Sequence, residues 1–231
     1  MTRAVAALRL VPPASRDQFL ANGELVSSAV AVEALSLHGL PSVWVDAREV
    51  LITDGRFGRA QPDFAEIARR AEQRIVGPAA QGKIPVLGGF IGATRSGQTT
   101  TLGRGGSDYS AAIFGAAVSA SAVEIWTDVD GMMTADPQIV PEARVIDQIS
   151  SEEASELAYF GARVLHPLTL APAIEKGIPV RIRNSRHPER PGTEIRPTVP
   201  AGDHPIRSIA FKRGIATFNT SAGGCSKYEP G

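Results

Sequence analysis

Short apolar segments alternate with helix-patterned stretches along this chain, and that alternation constrains its fold more than any other feature. Ser42-Val43-Trp44-Val45-Asp46, Ile84-Pro85-Val86-Leu87, Val123-Glu124-Ile125-Trp126-Thr127 and Ile178 to Ile182 read as strands. Around them lie helical patterns. Ser15 to His38 carries apolar residues at Phe19, Leu20, Val26, Val30, Val32 and Leu35 and stops at Gly39. Asp63 to Gln81 is a second helix, and Ser107 to Ser121 a third, capped by Ser107 and Asp108, with Ala111, Ala112, Phe114 and Val118 as its buried face. Ser150-Ser151-Glu152-Glu153 is a Ser-x-x-Glu capping box for a helix to Tyr159, and Leu168 to Lys176 is a further helix stopped by Gly177. Parallel strands need crossover connections, so this order implies an α/β fold: a mainly parallel sheet sandwiched by helices. Trp126 reads as core. After Pro188 the composition shifts towards Pro, Gly and charge, as in a linker, and Ile206 to Phe218 is strand-like.

Composition excludes several functions. The 231 residues carry 24 Lys+Arg and 24 Asp+Glu, and 43% are hydrophobic, which fits neither a disordered tail nor a nucleic-acid binder held by bulk charge. Any anion must therefore be met by a local site. The single cysteine, Cys225, leaves no disulfide framework and no Cys-rich metal cluster, and suits a reducing compartment. Arg9 and Pro12-Pro13 break the apolar run Ala4 to Leu8, so no secretory signal is expected. No run of about 18 consecutive apolar residues occurs, so the expectation is a soluble, cytoplasmic chain with no membrane partner.

Ligands of open α/β sheets bind beyond the carboxyl ends of the strands. Gly88-Gly89, the loop Gly103-Arg104-Gly105-Gly106 and Thr127-Asp128 all follow predicted strands, so all three are expected at one crevice. Glycines 103, 105 and 106 let backbone N–H groups approach an anion, and the helix that follows adds about half a positive charge at its N-terminus. Arg104 can clamp a carboxylate in bidentate fashion. Asp108 accepts only, and among so many donors suits orienting a cation, lysine or metal. Neither a dinucleotide-binding Gly-x-Gly-x-x-Gly nor a P-loop Gly-Lys-Ser/Thr is present, which weakens a dehydrogenase reading.

Taken together, six co-linear segments resemble the aspartokinase branch of the amino acid kinase family over residues 16 to 195. They are Ala21-Asn22-Gly23-Glu24-Leu25-Val26-Ser27-Ser28, Arg56-Phe57-Gly58-Arg59-Ala60, Gly89-Phe90-Ile91-Gly92, Thr99 to Tyr109, Trp126-Thr127-Asp128-Val129-Asp130-Gly131, and Phe160-Gly161-Ala162-Arg163-Val164-Leu165-His166-Pro167. The resemblance implies transfer of the ATP γ-phosphoryl group to the side-chain carboxylate of L-aspartate, the first step towards lysine, threonine and methionine. It implies that Glu24 binds the substrate amino group, Arg104 its carboxylates, and Gly105, Gly106 and Ser107 the reacting groups, with Asp108 ordering cationic side chains. It further implies a nucleotide site at Thr127, Asp128, Met133, Asp136, Gln138, Arg163 and Val164. ATP and Mg²⁺ arrive together, no metal ligand is assigned to the chain itself, and the intact protein is expected to be a homo-oligomer.

The sequence also departs from that family. No Lys-Phe-Gly-Gly-Thr-Ser strand precedes Ser15, and alignment of the motifs leaves a long N-terminal segment unmatched. Residues 1–195 are expected to form the kinase domain without that strand, and 196–231 a linker and partial ACT-like segment, entered at His204 to Phe211. After Thr220-Ser221 the resemblance stops, which suggests a shifted reading frame. Met133, Gln138 and Arg163 stand where tyrosine, arginine and lysine are usual. A second reading therefore stays open: a non-catalytic chain that binds nucleotide or associates with a complete subunit.

Overall fold

The computed structural model describes residues 11–160, 169–200 and 206–210. In chain order the elements are α1 (Pro13–Leu37), β1 (Ser42–Trp44), a 3₁₀ turn (Ala47–Glu49), β2 (Ile52–Thr53), α2 (Phe64–Ala71), a π-helical turn (Glu72–Val76), α3 (Gly77–Ala80), β3 (Ile84–Val86), β4 (Ile91–Thr94), β5 (Thr99–Thr101), α4 (Gly106–Ala117), β6 (Val123–Thr127), β7 (Gln148–Ser150), α5 (Ser151–Phe160), α6 (Ala171–Glu175), β8 (Val180–Asn184) and β9 (Thr193–Arg196). The strands form three small sheets, ordered β1-β3, β2-β4-β5 and β6-β8-β9-β7. Pairing is parallel for β1/β3, β2/β4, β6/β8 and β7/β9, and antiparallel for β4/β5 and β8/β9. This is the expected α/β fold, with mixed sheets where a mainly parallel one was inferred.

Several expectations need correction. The helix read as Asp63 to Gln81 is interrupted, because Pro78 has no N–H and its ring crowds the carbonyl four residues back. The chain relieves this with the π-helical turn, where Gly77 N–H reaches Glu72 O. The helix read as Leu168 to Lys176 begins only at Ala171, with Pro172 in its first turn. Five strands went unread: β2, β4, β5, β7 and β9. Of these, β9 lies between β8 and β7 inside the stretch read as a linker. Residues 206–210 carry no strand, although Ile209 N–H donates to Thr134 O at 3.0 Å. The rest of the ACT-like segment, Cys225 and the Thr220-Ser221 junction lie outside the described residues.

The largest core cluster joins α4, α6 and the four-stranded sheet through Val123, Met132, Ile149, Val180, Ile182 and Ile195. A second joins α2, α4 and the segment before β2 through Leu51, Ile67, Leu102 and Ile113. Trp126 is not core: it is 46% exposed, with the Arg183 guanidinium 4.9 Å from its ring centroid, a cation–π contact.

Helix α1 runs 25 residues and reaches a mean hydropathy of 1.2 over its most apolar window, long and apolar enough by those measures to cross a bilayer. Counting unbroken apolar runs misses this. One face is nonetheless built into the domain, burying Asp17, Ala21 and Ser28, while Phe19, Val26, Val30 and Leu37 are exposed.

Candidate functional site

Helix α4 builds the centre of the site. Its N-cap is Gly105 in the left-handed conformation (φ 70°), with no side-chain cap, so Ser107 and Asp108 do not cap the helix as expected. Gly106 N–H turns back to Gly103 O and Tyr109 N–H to Gly105 O, both at 3.0 Å. The N–H groups of Ser107 and Asp108 have no acceptor among the described residues, and they point outward at the positive end of a 12-residue helix. Arg104 is exposed and has no anionic partner among the described residues. Burial pushes the Asp108 carboxyl above its usual value, and no cation faces it among the described residues.

Two glycines bring Glu24 to this helix. A side chain on Gly88 would stand 3.0 Å from Glu24 Cβ, and one on Gly89 would stand 3.1 Å from Ser107 Cα. Glu24, Gly88-Gly89 and Ser107 therefore lie in one unbroken line of contact. Phe90 continues it with an unusual φ of 67°, held by a bond from its N–H to Ser110 Oγ at 2.8 Å. Ser110 in turn donates to Gly106 O at 2.7 Å. Sequence reasoning missed Ser110, whose small buried hydroxyl looks like any other helix serine.

The expected nucleotide residues follow β6. Strand β6 packs against α4 and runs the opposite way: Gly115, near the end of α4, abuts Val123 at the start of β6. The far end of β6, Thr127-Asp128, thus returns to the level of Gly106. Thr127 Oγ1 donates to Asp128 Oδ1 at 3.3 Å, and Ser185 donates to Thr127 O through N–H (2.8 Å) and Oγ (3.0 Å). Asp130, in the same segment, accepts from Asn184 Nδ2 at 2.6 Å and from Arg190. Those two partners, Asn184 first, hold its carboxyl below the usual range against a smaller effect of burial. Both came unannounced in the sequence, since they lie more than fifty residues away.

Met133 is bridged to Val145, and its carbonyl accepts from Ser208 Oγ at 3.0 Å. Asp136 Oδ1 accepts from Gln138 N–H at 2.9 Å, so these two residues form an exposed turn. No direct bond joins the Glu24/Arg104 group to the Thr127–Gln138 group among the described residues. Arg163, Val164 and His166 lie outside them. No group of three or more His, Cys, Asp or Glu side chains gathers as a metal cage among the described residues.

Comparison with known proteins bears on this geometry. The model of the amino acid kinase family matches residues 2–184. Lysine-sensitive aspartokinase 3 of Escherichia coli is 46% identical over 192 residues, 83% of this chain and 42% of that protein. A chloroplastic aspartokinase 3 of Arabidopsis thaliana is 36% identical over 226 residues, 96% of this chain and 40% of that protein. The crystal structure of E. coli aspartokinase III in complex with aspartate and ADP superposes with a TM-score of 0.78 at 44% identity, covering 85% of this chain and 44% of that one. The chain thus spans less than half the length of these relatives.

Proposed function

We propose that this chain, which belongs to the amino acid kinase family, transfers the γ-phosphoryl group of ATP to the side-chain carboxylate of L-aspartate, giving 4-phospho-L-aspartate and ADP. The observation that carries the proposal is the pair of N–H groups at Ser107 and Asp108, unbonded among the described residues, flanked by an Arg104 unpaired among them and backed through Gly88-Gly89 by Glu24. The arrangement offers donors for carboxylate and phosphate on one side and an acceptor for an ammonium group on the other. A relative 44% identical over the aligned region was crystallised with aspartate and ADP, the two kinds of ligand this arrangement suits.

In the proposed reaction a carboxylate oxygen of aspartate attacks the γ-phosphorus and the bond to the β-bridging oxygen breaks. A carboxylate is already a nucleophile, so no base is needed, and catalysis reduces to positioning and neutralising charge. Arg104 and the α4 N-terminus hold anions in line; Glu24 fixes the ammonium group. The loop Thr127–Gly131, buttressed by Ser185 and Asn184, would hold the nucleotide, with Asp136, Gln138, Arg163 and Val164 assigned to it by resemblance. One unpaired carboxylate, Asp108, fits a Mg²⁺ held mainly by nucleotide phosphates, as is usual for that ion. The metal would neutralise charge on the transferring group. We further read the partners as small molecules, the setting as cytoplasmic and the pathway as that towards lysine and threonine.

The test is direct. With Mg-ATP and aspartate, the purified chain should form an acyl phosphate trapped by hydroxylamine, and Arg104→Ala should abolish it. ATP binding without any acyl phosphate at high protein concentration would establish the non-catalytic reading instead.

A further inference from the structure

Asp17 is fully buried, yet its carboxylate forms no ion pair among the described residues. Oδ2 accepts two backbone bonds, from Gly58 N–H at 2.7 Å and Thr101 N–H at 2.8 Å. Oδ1 is buried with no hydrogen-bond partner among the described residues. Keeping an acceptor desolvated and unsatisfied costs about 1–3 kcal/mol, so a carboxylate used merely to stabilise the fold would be a poor choice here. What it joins is informative. It sits in α1, two turns before Glu24 and on the same face. Thr101 ends β5, three residues before Arg104, and its carbonyl accepts from Ala60 N–H at 3.0 Å. Gly58 belongs to the loop that touches Gly103, where an added side chain would stand 2.7 Å from Gly58 O.

We infer that Asp17 is a positioning residue: its single oxygen bolts the helix bearing Glu24 to the strand and loop bearing Arg104, and so sets the span between the groups that grip the two ends of the amino-acid substrate. The inference rests on the function proposed above. Removing the bolt leaves the nucleotide loop after β6 untouched, because no hydrogen bond from Asp17 or its partners reaches that loop. The amino-acid side of the site alone should respond.

Asp17→Asn keeps an acceptor oxygen in place, whereas Asp17→Glu keeps the charge but displaces the carboxylate by one methylene. In the full chain, Asp17→Glu should raise KM for aspartate by about tenfold to a hundredfold, the scale expected of a displacement of about 1 Å. KM for ATP should stay within about twofold. Asp17→Asn should restore KM for aspartate to near the parent value, and Asp17→Ala should behave as Asp17→Glu where it folds. Hydrogen exchange at the Gly58 and Thr101 amides should quicken in Asp17→Glu and not in Asp17→Asn. Equal changes in both KM values, or an unchanged aspartate KM in Asp17→Glu, overturn the inference while leaving the kinase reading intact. A parent chain that forms no acyl phosphate but binds aspartate calorimetrically overturns the kinase reading alone, and the same comparison is then made on aspartate affinity. A parent that neither reacts with nor binds aspartate overturns both.

Discussion

Gly103 and Gly97 allow the close approach of two loops to be weighed separately from backbone strain. Both adopt left-handed φ values, 85° and 84°, so Gly→Ala meets the same conformational penalty at each. That penalty is about 1–2 kcal/mol, offset by about 0.4–1 kcal/mol because alanine also restricts the unfolded chain. Gly97→Ala should therefore cost about 1 kcal/mol, since nothing lies within 4 Å of the new methyl group. At Gly103 the methyl group would stand 2.7 Å from Gly58 O, well inside ordinary contact. Gly58 cannot simply retreat, because its N–H is held by buried Asp17 at 2.7 Å. Overpacking of this kind adds about 1–3 kcal/mol, so Gly103→Ala should cost about 2–4 kcal/mol in all. Urea denaturation followed by circular dichroism measures both, with equal m-values as the check that only stability has changed. The folded fraction of Gly103→Ala should also lose acyl-phosphate formation, because the loop carrying Arg104 must shift. Equal destabilisation of the two variants would refute the argument, since it would mean that the Gly58 and Gly103 loops are not in rigid contact.

Three further outcomes follow from single contacts. Ser150 and Glu153 form a reciprocal capping box, with Glu153 N–H to Ser150 Oγ at 3.2 Å and Ser150 N–H to Glu153 Oε2 at 2.9 Å, so Ser150→Ala should cost about 1 kcal/mol, read as a fall in Tm of about 2–4 °C. Glu66 is held down to about 2 by Arg69 and Arg70; a depressed acid contributes stability above its unfolded value of 4.5 that is lost as pH falls towards 2, so Glu66→Gln should flatten the pH dependence of unfolding in that window and salt should do the same. Asn184→Ala removes the main hydrogen bond that lowers the Asp130 carboxyl, so the Asp130 resonance should titrate at higher pH, with KM for ATP raised and KM for aspartate unchanged.

Where burial and periodicity coincide, the sequence was a sufficient guide. Helix α4 and strands β6 and β8 were legible because their apolar residues recur at the spacing of the element that buries them, α5 because its capping box is local; α1 was found from a helical spacing of residues, Phe19, Val26 and Val30, that face outward instead. The missed strands share a different character. β5 is Thr99-Thr100-Thr101, fully buried despite three hydroxyls, because Thr100 Oγ1 pairs with Thr53 Oγ1 at 2.7 Å and the backbone pairs with β4. In isolation three threonines beside glycines look like a loop; only a partner strand makes burial affordable. Likewise β9 hides in a Pro- and Gly-rich stretch, and Thr193 is buried there because its Oγ1 receives Met132 N–H at 2.8 Å. Trp126 misled in the opposite direction: its size suggests core, but it falls on the outward-facing side of β6, where Arg183 covers it.

The site divides along the same physical line. Glu24, Arg104 and Asp108 were visible because charge close to glycines is a local signal. The groups that hold them were not, since their partners are backbone atoms of distant segments: Gly58 and Thr101 for Asp17, Phe90 for Ser110. A side chain that binds a remote N–H leaves no periodic trace and needs no complementary residue, so neither spacing nor charge pairing can reveal it. An orphan oxygen can. Asp17 Oδ1 is buried without a partner among the described residues, and that cost is tolerable only if the other oxygen does something that a residue without an acceptor at that point could not do as well. Fixing a loop and a strand at one point, beside the helix that carries Glu24, is such a task, and under the proposed reading it would place the specificity of the site partly in a residue that touches no ligand.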